Sequence, residues 1–119
     1  MNLTKLRIIG EANEIAEIIW DEVIGWDYFC KGTIGKQLVR AADSISANLS
    51  EGYGRYTIPE RIRFVYYSRG SLCETINWIQ KTKKRKLISP AQADLLSGQL
   101  DTLSIKIISI SIHSKLLGI

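Results

Sequence analysis

Histidine, cysteine, proline and methionine are all scarce in this 119-residue chain, which has one His, two Cys, two Pro and one Met. A bundle metal centre needs several inward histidines and carboxylates, and His113 has no Glu-x-x-His or His-x-x-x-His partner. It reads as a packed or dipole-favoured histidine near a helix C-terminus. Cys30 and Cys73 stand far apart with no CxxC, which is not a disulfide framework. Each sits beside apolar residues, so both are expected as small, buried, reduced side chains. Residues 1–5 carry no signal-peptide apolar core and no small-residue cleavage site. Long hydrophobic runs are missing too. The longest, Leu103 to Leu117, is broken by Lys106, His113 and four serines. It falls short of the roughly 20 apolar residues of a spanning helix. A reduced cytoplasmic setting with no membrane is the expectation.

Catalytic patterns are equally thin. The helical RNase pattern of an Arg four to six residues before a His fails, because Ile107, Ile108 and Ser109 occupy those places. Gly52-Tyr53-Gly54-Arg55 is not a G-x-x-x-x-G-K-[ST] loop and follows no strand, so it reads as a helix-terminating turn. Glu51 has no nucleophile or second acid at a recognisable spacing. It reads as structural, paired with Arg55 one turn on. No catalytic residue, metal or cofactor is expected.

What the chain does have is apolar content and charge. It is 45% hydrophobic and 24% charged, which suits one globular domain over residues 1–119 and excludes disorder. Sixteen Lys and Arg against twelve Asp and Glu give +4. That average conceals an asymmetry. Residues 1–27 carry −4, residues 28–86 carry +8 and the remainder is neutral. An acidic segment and a basic one can attract each other between subunits, or the basic one can face a polyanion.

Helical periodicity recurs four times and strand alternation nowhere. Ile8, Ala12, Ile15, Ile19, Val23 and Trp26 mark the first helix, with a turn at Cys30-Lys31-Gly32. Ile34, Leu38, Ala41, Ile45 and Asn48 mark the second, which stops at the glycines around Tyr53. Thr57-Ile58-Pro59-Glu60 is a capping box that opens the third. Its seam runs Ile58, Ile62, Val65, Arg69, Leu72, Ile76, Ile79. Ser89-Pro90-Ala91-Gln92 opens the fourth, with Leu96, Leu100, Leu103, Ile107, Ile110, Ser114 and Leu117 as its seam. The spacing predicts helices over about 4–29, 33–53, 58–86 and 90–117. The short connections predict an all-α, antiparallel, up-down-up-down four-helix bundle. Val39, Ala42, Leu49 and Tyr53, then Phe64, Tyr67 and Trp78, then Ile105, Ile108, Ile112 and Leu116 lie off these seams. A second apolar stripe per helix points to self-association, unless the stripes merge into one wide core face.

Lys81, Lys83, Lys84, Arg85 and Lys86 form the densest charge run. Lysines there complement a helix C-terminus, and five cations in six positions also suit a phosphate backbone. Arg61, Arg63, Lys36, Arg40 and Arg55 enlarge the basic area if they share its face. Tyr53, Tyr56, Tyr66 and Tyr67 are candidates for stacking. Arg69, inside an apolar seam, must meet a carboxylate, a helix end or a subunit boundary. Gly70-Ser71 beside it permits close helix approach. Asn48 is the polar counterpart on the second helix.

The stretch from Gln37 to Arg55, QLVRAADSISANLSEGYGR, resembles the four-helix-bundle family of 23S rRNA intervening-sequence proteins. Its hallmark is close to Q-L-x-R-A-A-x-S-I-x-x-N-I-A-E-G-Y-G-R. Arg63 to Glu74, RFVYYSRGSLCE, is similar to the family's R-F-L-x-I-A-x-G-S-L-x-E. Ser46 stands where Pro is usual, Leu49-Ser50 and Tyr67-Ser68 each replace Ile-Ala, and the Leu-x-x-W opening is missing. The resemblance implies a bacterial homopentamer without enzyme activity. The family is similar to accessory proteins of diversity-generating retroelements, which are basic pentameric barrels that bind nucleic acid and a reverse transcriptase. Asn48, Glu51, Gly52, Arg69, Gly70 and Ser71 match hallmark positions and are expected at packing and subunit-interface sites. The expectation is a non-enzymatic homo-oligomer that binds RNA or DNA, with a protein-interaction adaptor as the alternative.

Overall fold

The computed structural model describes residues 3–117, with side chains over 3–112. Four helices make up nearly all of it. They are α1 Leu3–Ile24, α2 over 28–53, α3 Ile58–Lys84 and α4 Pro90–Leu117. Among the described residues there is no strand. Helix α2 is continuous but not uniform. It has an opening turn Tyr28–Cys30, a π-helical turn Lys31–Gly35 and a regular stretch Lys36–Tyr53.

The first connection differs from the sequence expectation. The chain breaks at 25–27, so α1 stops at Ile24 instead of 29 and α2 starts at 28 instead of 33. Asp27 is extended and its carboxylate accepts the Cys30 amide at 2.9 Å. It is an N-cap, and Gly25 directly after Ile24 is the matching stop. Lys31 and Gly32, expected to turn, instead continue the helix in a wider π turn, which absorbs one extra residue. Gly35 fits this turn to α1. A Cβ there would lie 2.8 Å from Val23 Cγ1 and 3.0 Å from the Cys30 carbonyl oxygen.

The later starts follow the caps. Thr57 Oγ1 accepts the Glu60 amide at 3.3 Å, and Ser89 Oγ accepts the Gln92 amide at 3.1 Å. Helix α3 ends at Lys84, two residues before the expected 86. Contacts between helices run in alternating directions. Lys5 lies over Tyr53 at one end of the α1–α2 pair, and Val23 meets Gly35 at the other. Ser68 reaches Ile45, Lys83 reaches Asp94 and Lys106 reaches Glu11. The bundle is therefore antiparallel throughout. Helices α1 and α3 each pack on α2 and α4, so they stand diagonally opposite.

Ile8, Ala12, Ile15, Ile19 and Val23 of α1 meet Leu38, Ala42 and Ile45 of α2 and Leu96, Leu100, Leu103 and Ile107 of α4. Each fully buried Leu or Ile contributes roughly 1.5–3 kcal/mol. Helix α3 departs from its expected seam. Its buried line is Ser68, Leu72, Thr75, Ile79 and Thr82. The three hydroxyls are buried because each donates to a backbone carbonyl: Ser68 to Ile45 at 2.7 Å, Thr75 to Ser71 at 2.7 Å and Thr82 to Ile79 at 2.8 Å. A satisfied hydroxyl escapes most of the burial penalty. With that line facing inward, Arg69 points to solvent and needs no buried partner. Cys73 is exposed as well, contrary to expectation, while Cys30 is half-buried and both are free thiols.

The extra stripes divide. Ala42 and Leu49 join the core, so on α2 the stripes merge into one broad face. Ile105 and Ile112 stay exposed on α4, while Leu116 lies outside the described side chains. On α1, Leu3 and Leu6 near its start and Trp20 and Ile24 near its end are exposed on one face, with exposed Asn13 and Glu17 between them. Counted from Pro90 to Ile112, α4 is long and apolar enough by composition to cross a membrane. A core helix has the same composition, and five of its apolar residues, Ala93, Leu96, Leu100, Leu103 and Ile107, are sealed inside the bundle.

Candidate nucleic-acid interface

The ten candidate cations do not share one face. Arg61 and Arg63 stand about 20 residues before Lys81–Arg85 on α3, which is about 30 Å along the helix. The bundle is 47 Å long, so these groups occupy opposite ends. At the α2–α3 turn Arg55, Arg61 and Lys5 are engaged in structure, while Arg63 is exposed. Arg55 pairs with Glu51 at 2.7 Å and stacks on Phe64 at 4.6 Å, and its carbonyl accepts Arg61 Nε at 2.7 Å. Lys5 lies over Tyr53, and its pKa is lowered by burial and by the nearby Arg61 charge.

At the other end, the antiparallel pairing brings the start of α2 beside the end of α3. Lys36 joins Lys81, Lys84, Arg85 and Lys86 there, all exposed, while Arg40, also exposed, stands midway along α2. Lys31 on the π turn is a further member that sequence reading missed. Among the described residues none of these six, nor Arg40, forms an ion pair. Lys83 is the exception in the run, tied to Asp94 at 2.8 Å. Lys81 sits over the Trp78 ring at 4.8 Å, and Trp78 Nε1 donates to Glu74 at 3.0 Å.

Lys86 carries the strongest local signal. It has φ 60°, the one left-handed non-glycine residue among those described. It follows the end of α3, where the Leu87 amide returns to the Thr82 carbonyl at 2.9 Å. Glycine is the usual residue there, because a left-handed L-residue costs roughly 1–2 kcal/mol. The chain places a cation in that position instead.

Aromatic rings also collect at this end, though not those singled out in the sequence. Tyr56 lies in the distant α2–α3 turn, Tyr53 under Lys5, and Tyr66 and Tyr67 along the middle of α3. The rings at the basic end are Tyr28, 95% exposed, and Phe29, 74% exposed. Phe29 and Trp78 line an open concavity with Cys30, Gln37, Lys81 and Arg85. The available signal was Asp27, because recognising it as a cap places Tyr28 and Phe29 on the outside of a first helical turn. The Asp27 carboxyl is held below its ordinary pKa by the Cys30 amide. Burial and the Asp27 carboxylate raise the Cys30 pKa, which opposes a reactive thiolate.

The hallmark residues fall in two settings. Asn48 Nδ2 donates to the Ser44 carbonyl at 2.9 Å and to Ser71 Oγ at 3.4 Å, tying α2 to α3. Gly52 is buried where a Cβ would lie 2.7 Å from Phe64 Cβ. Its role is helix contact, and Gly54 after the helix is not left-handed either. Gly70 is the opposite case, exposed with open space where its Cβ would stand, so close helix approach within the protomer does not explain it. Arg69 is exposed beside it. Among the described residues no three potential ligands gather for a metal, and the His113 side chain lies outside them.

The model of the family described as 23S rRNA-intervening sequence protein matches residues 4–109. No curated protein matches the chain in sequence. Among solved structures, the chain is similar to a protein of unknown function from the S23 ribosomal protein family of Bacteroides thetaiotaomicron. The TM-score is 0.78 at 19% identity, covering 87% of this chain and 97% of that one. At that identity the likeness shows the shared fold.

Proposed function

The chain belongs to the 23S rRNA-intervening sequence protein family, and from that premise we propose that it is a non-enzymatic, homopentameric bundle binding RNA or DNA through its basic end. The observation that carries the reading is the group of six exposed cations, Lys31, Lys36, Lys81, Lys84, Arg85 and Lys86, that form no ion pair among the described residues and lie at one end of the molecule. Holding them together is costly through mutual repulsion, and a polyanion removes that cost while releasing counterions. The left-handed Lys86 supports it, since a charge is kept there against backbone preference.

Self-association is supported by Gly70. A glycine inside a helix costs about 1 kcal/mol relative to alanine, and no neighbour in the protomer needs its small size. A second chain packed over it would. The α1 face carries exposed Glu14, Glu17 and Asp21, and the diagonally opposite α3 face carries exposed Arg63 and Arg69. Complementary patches on opposite sides of a protomer favour head-to-tail contacts that close into a ring. Five copies at +4 each carry +20.

Light scattering on the purified protein should give the mass of five chains. Fluorescence anisotropy at two salt concentrations should show binding to RNA or DNA that weakens steeply with salt. A monomer refutes the assembly, and no binding at low salt refutes the interface. The rival adaptor reading is favoured by the exposed apolar residues Leu3, Leu6, Trp20 and Ile24 of α1. It predicts that these residues stay accessible in the free protein, which alanine substitutions scored by oligomer mass would test.

A further inference from the structure

We infer that the basic end binds single-stranded nucleic acid, stacking an unpaired base on Phe29 in the concavity beside Trp78, with Lys81 and Arg85 on the flanking phosphates. This rests on the reading above that the basic end contacts nucleic acid, and it names the strand that fits.

A duplex keeps its base faces inside the stack, so it needs cations alone. This end offers more. Phe29 and Tyr28 present rings that are almost fully in water, directly before the π turn. Their backbone is fixed from both sides. The Asp27 carboxylate accepts the Cys30 amide at 2.9 Å, and Thr33 Oγ1 donates to the Phe29 carbonyl at 2.7 Å. A ring on a held backbone loses little entropy when a base settles on it. Trp78 lines the same concavity and already carries Lys81 over its face. Aromatic rings alternating with cations that bear no ion pair are the pattern of single-strand binding, where every base supplies a π face whatever its sequence. A second copy meeting this one through equivalent ends is a poorer occupant by charge, because like cations would come together, and a copy docked head-to-tail is tested by the assembly mass of Phe29→Ala.

The test uses the intact protein and labelled oligo-U and oligo-dT of about 15 nucleotides, beside RNA and DNA duplexes of the same length. The single strands should bind more tightly than the duplexes. Phe29→Ala should weaken single-strand binding by about tenfold, leaving duplex binding, salt slope and assembly mass unchanged. Phe29→Tyr should keep the affinity, and Lys84→Gln should weaken every ligand alike. Single strands should quench tryptophan emission in the wild type and quench it less in Trp78→Phe. A preference between oligo-U and oligo-dT tells which strand the site serves, and equal affinity tells that it serves both. Single-strand affinity unchanged in Phe29→Ala overturns the stacking site and leaves binding by charge standing. An altered assembly mass in that variant makes Phe29 an interface residue and overturns the inference. If no ligand binds at low salt, the proposed function fails along with it.

Discussion

The two ends of this bundle handle similar chemistry in opposite ways. At the α2–α3 turn three of the four prominent cations have work inside the protomer, and Arg63 is exposed without an ion pair among the described residues. Arg55 holds Glu51 and covers Phe64, Arg61 closes the turn on a carbonyl, and Lys5 covers Tyr53. At the α3–α4 end the cations face water, two aromatic rings stand exposed and a lysine occupies a left-handed position. Local stability explains the first end and leaves the second unexplained. The contrast teaches that a count of basic residues does not locate a binding surface. What distinguishes the two ends is how many cations the fold has left unused.

The strongest way to break the comparison is to remove charge from each end in turn. Replacing Lys81, Lys84, Arg85 and Lys86 by Gln should lower affinity about a hundredfold or more at moderate salt, with a shallower salt slope. Arg63→Gln at the other end should change it little. Equal losses in anisotropy titrations would mean that the two ends are equivalent.

Two glycines sharpen the contrast between internal and external roles. Gly52→Ala drives a Cβ to 2.7 Å from Phe64 Cβ and 3.1 Å from the Arg61 carbonyl oxygen. It should cost about 2 kcal/mol in urea unfolding. Gly70→Ala meets open space and should stabilise an isolated protomer by up to about 1 kcal/mol. If α3 packs on another chain it should instead reduce the assembly mass.

Lys86→Gly relieves the left-handed strain and should raise stability by about 1 kcal/mol. It should also weaken nucleic-acid binding by the loss of one charge. Gain in one readout and loss in the other would mark a residue kept for contact at the expense of the fold.

The smallest effect lies at the cap that sets the aromatic turn. Hydrogen bonding to the Cys30 amide depresses the Asp27 pKa. A depressed carboxyl contributes stability above its unfolded pKa and loses it as pH falls through the folded value. That contribution should begin to fall away below about pH 4. Asp27→Asn keeps a neutral cap, so thermal unfolding at pH 7 and pH 3 should show a smaller difference in the variant than in the wild type.

Much of the fold was legible in residue order. The apolar lines of α1, α2 and α4, the Thr57 and Ser89 caps and the bundle itself all follow from spacing. Helix α3 misled because periodicity treats hydroxyls as polar. Ser68, Thr75 and Thr82 are buried because their donors reach carbonyls, one of them on the neighbouring helix. The first turn misled because a π turn shifts the register by one residue, and a 3.6-residue pattern cannot register that.

The candidate site was half legible. The basic run was plain, but Lys31, Tyr28 and Phe29 were missed, and the shared face on which Arg55, Arg61 and Arg63 would have joined the run does not form, since they stand at the other end. Local chemistry, meaning apolar period, caps and charge sign, acts within a few residues and is written in the sequence. Whether a cation is paired or idle, or a ring covered or exposed, depends on what another helix brings beside it, and only the packed bundle decides that.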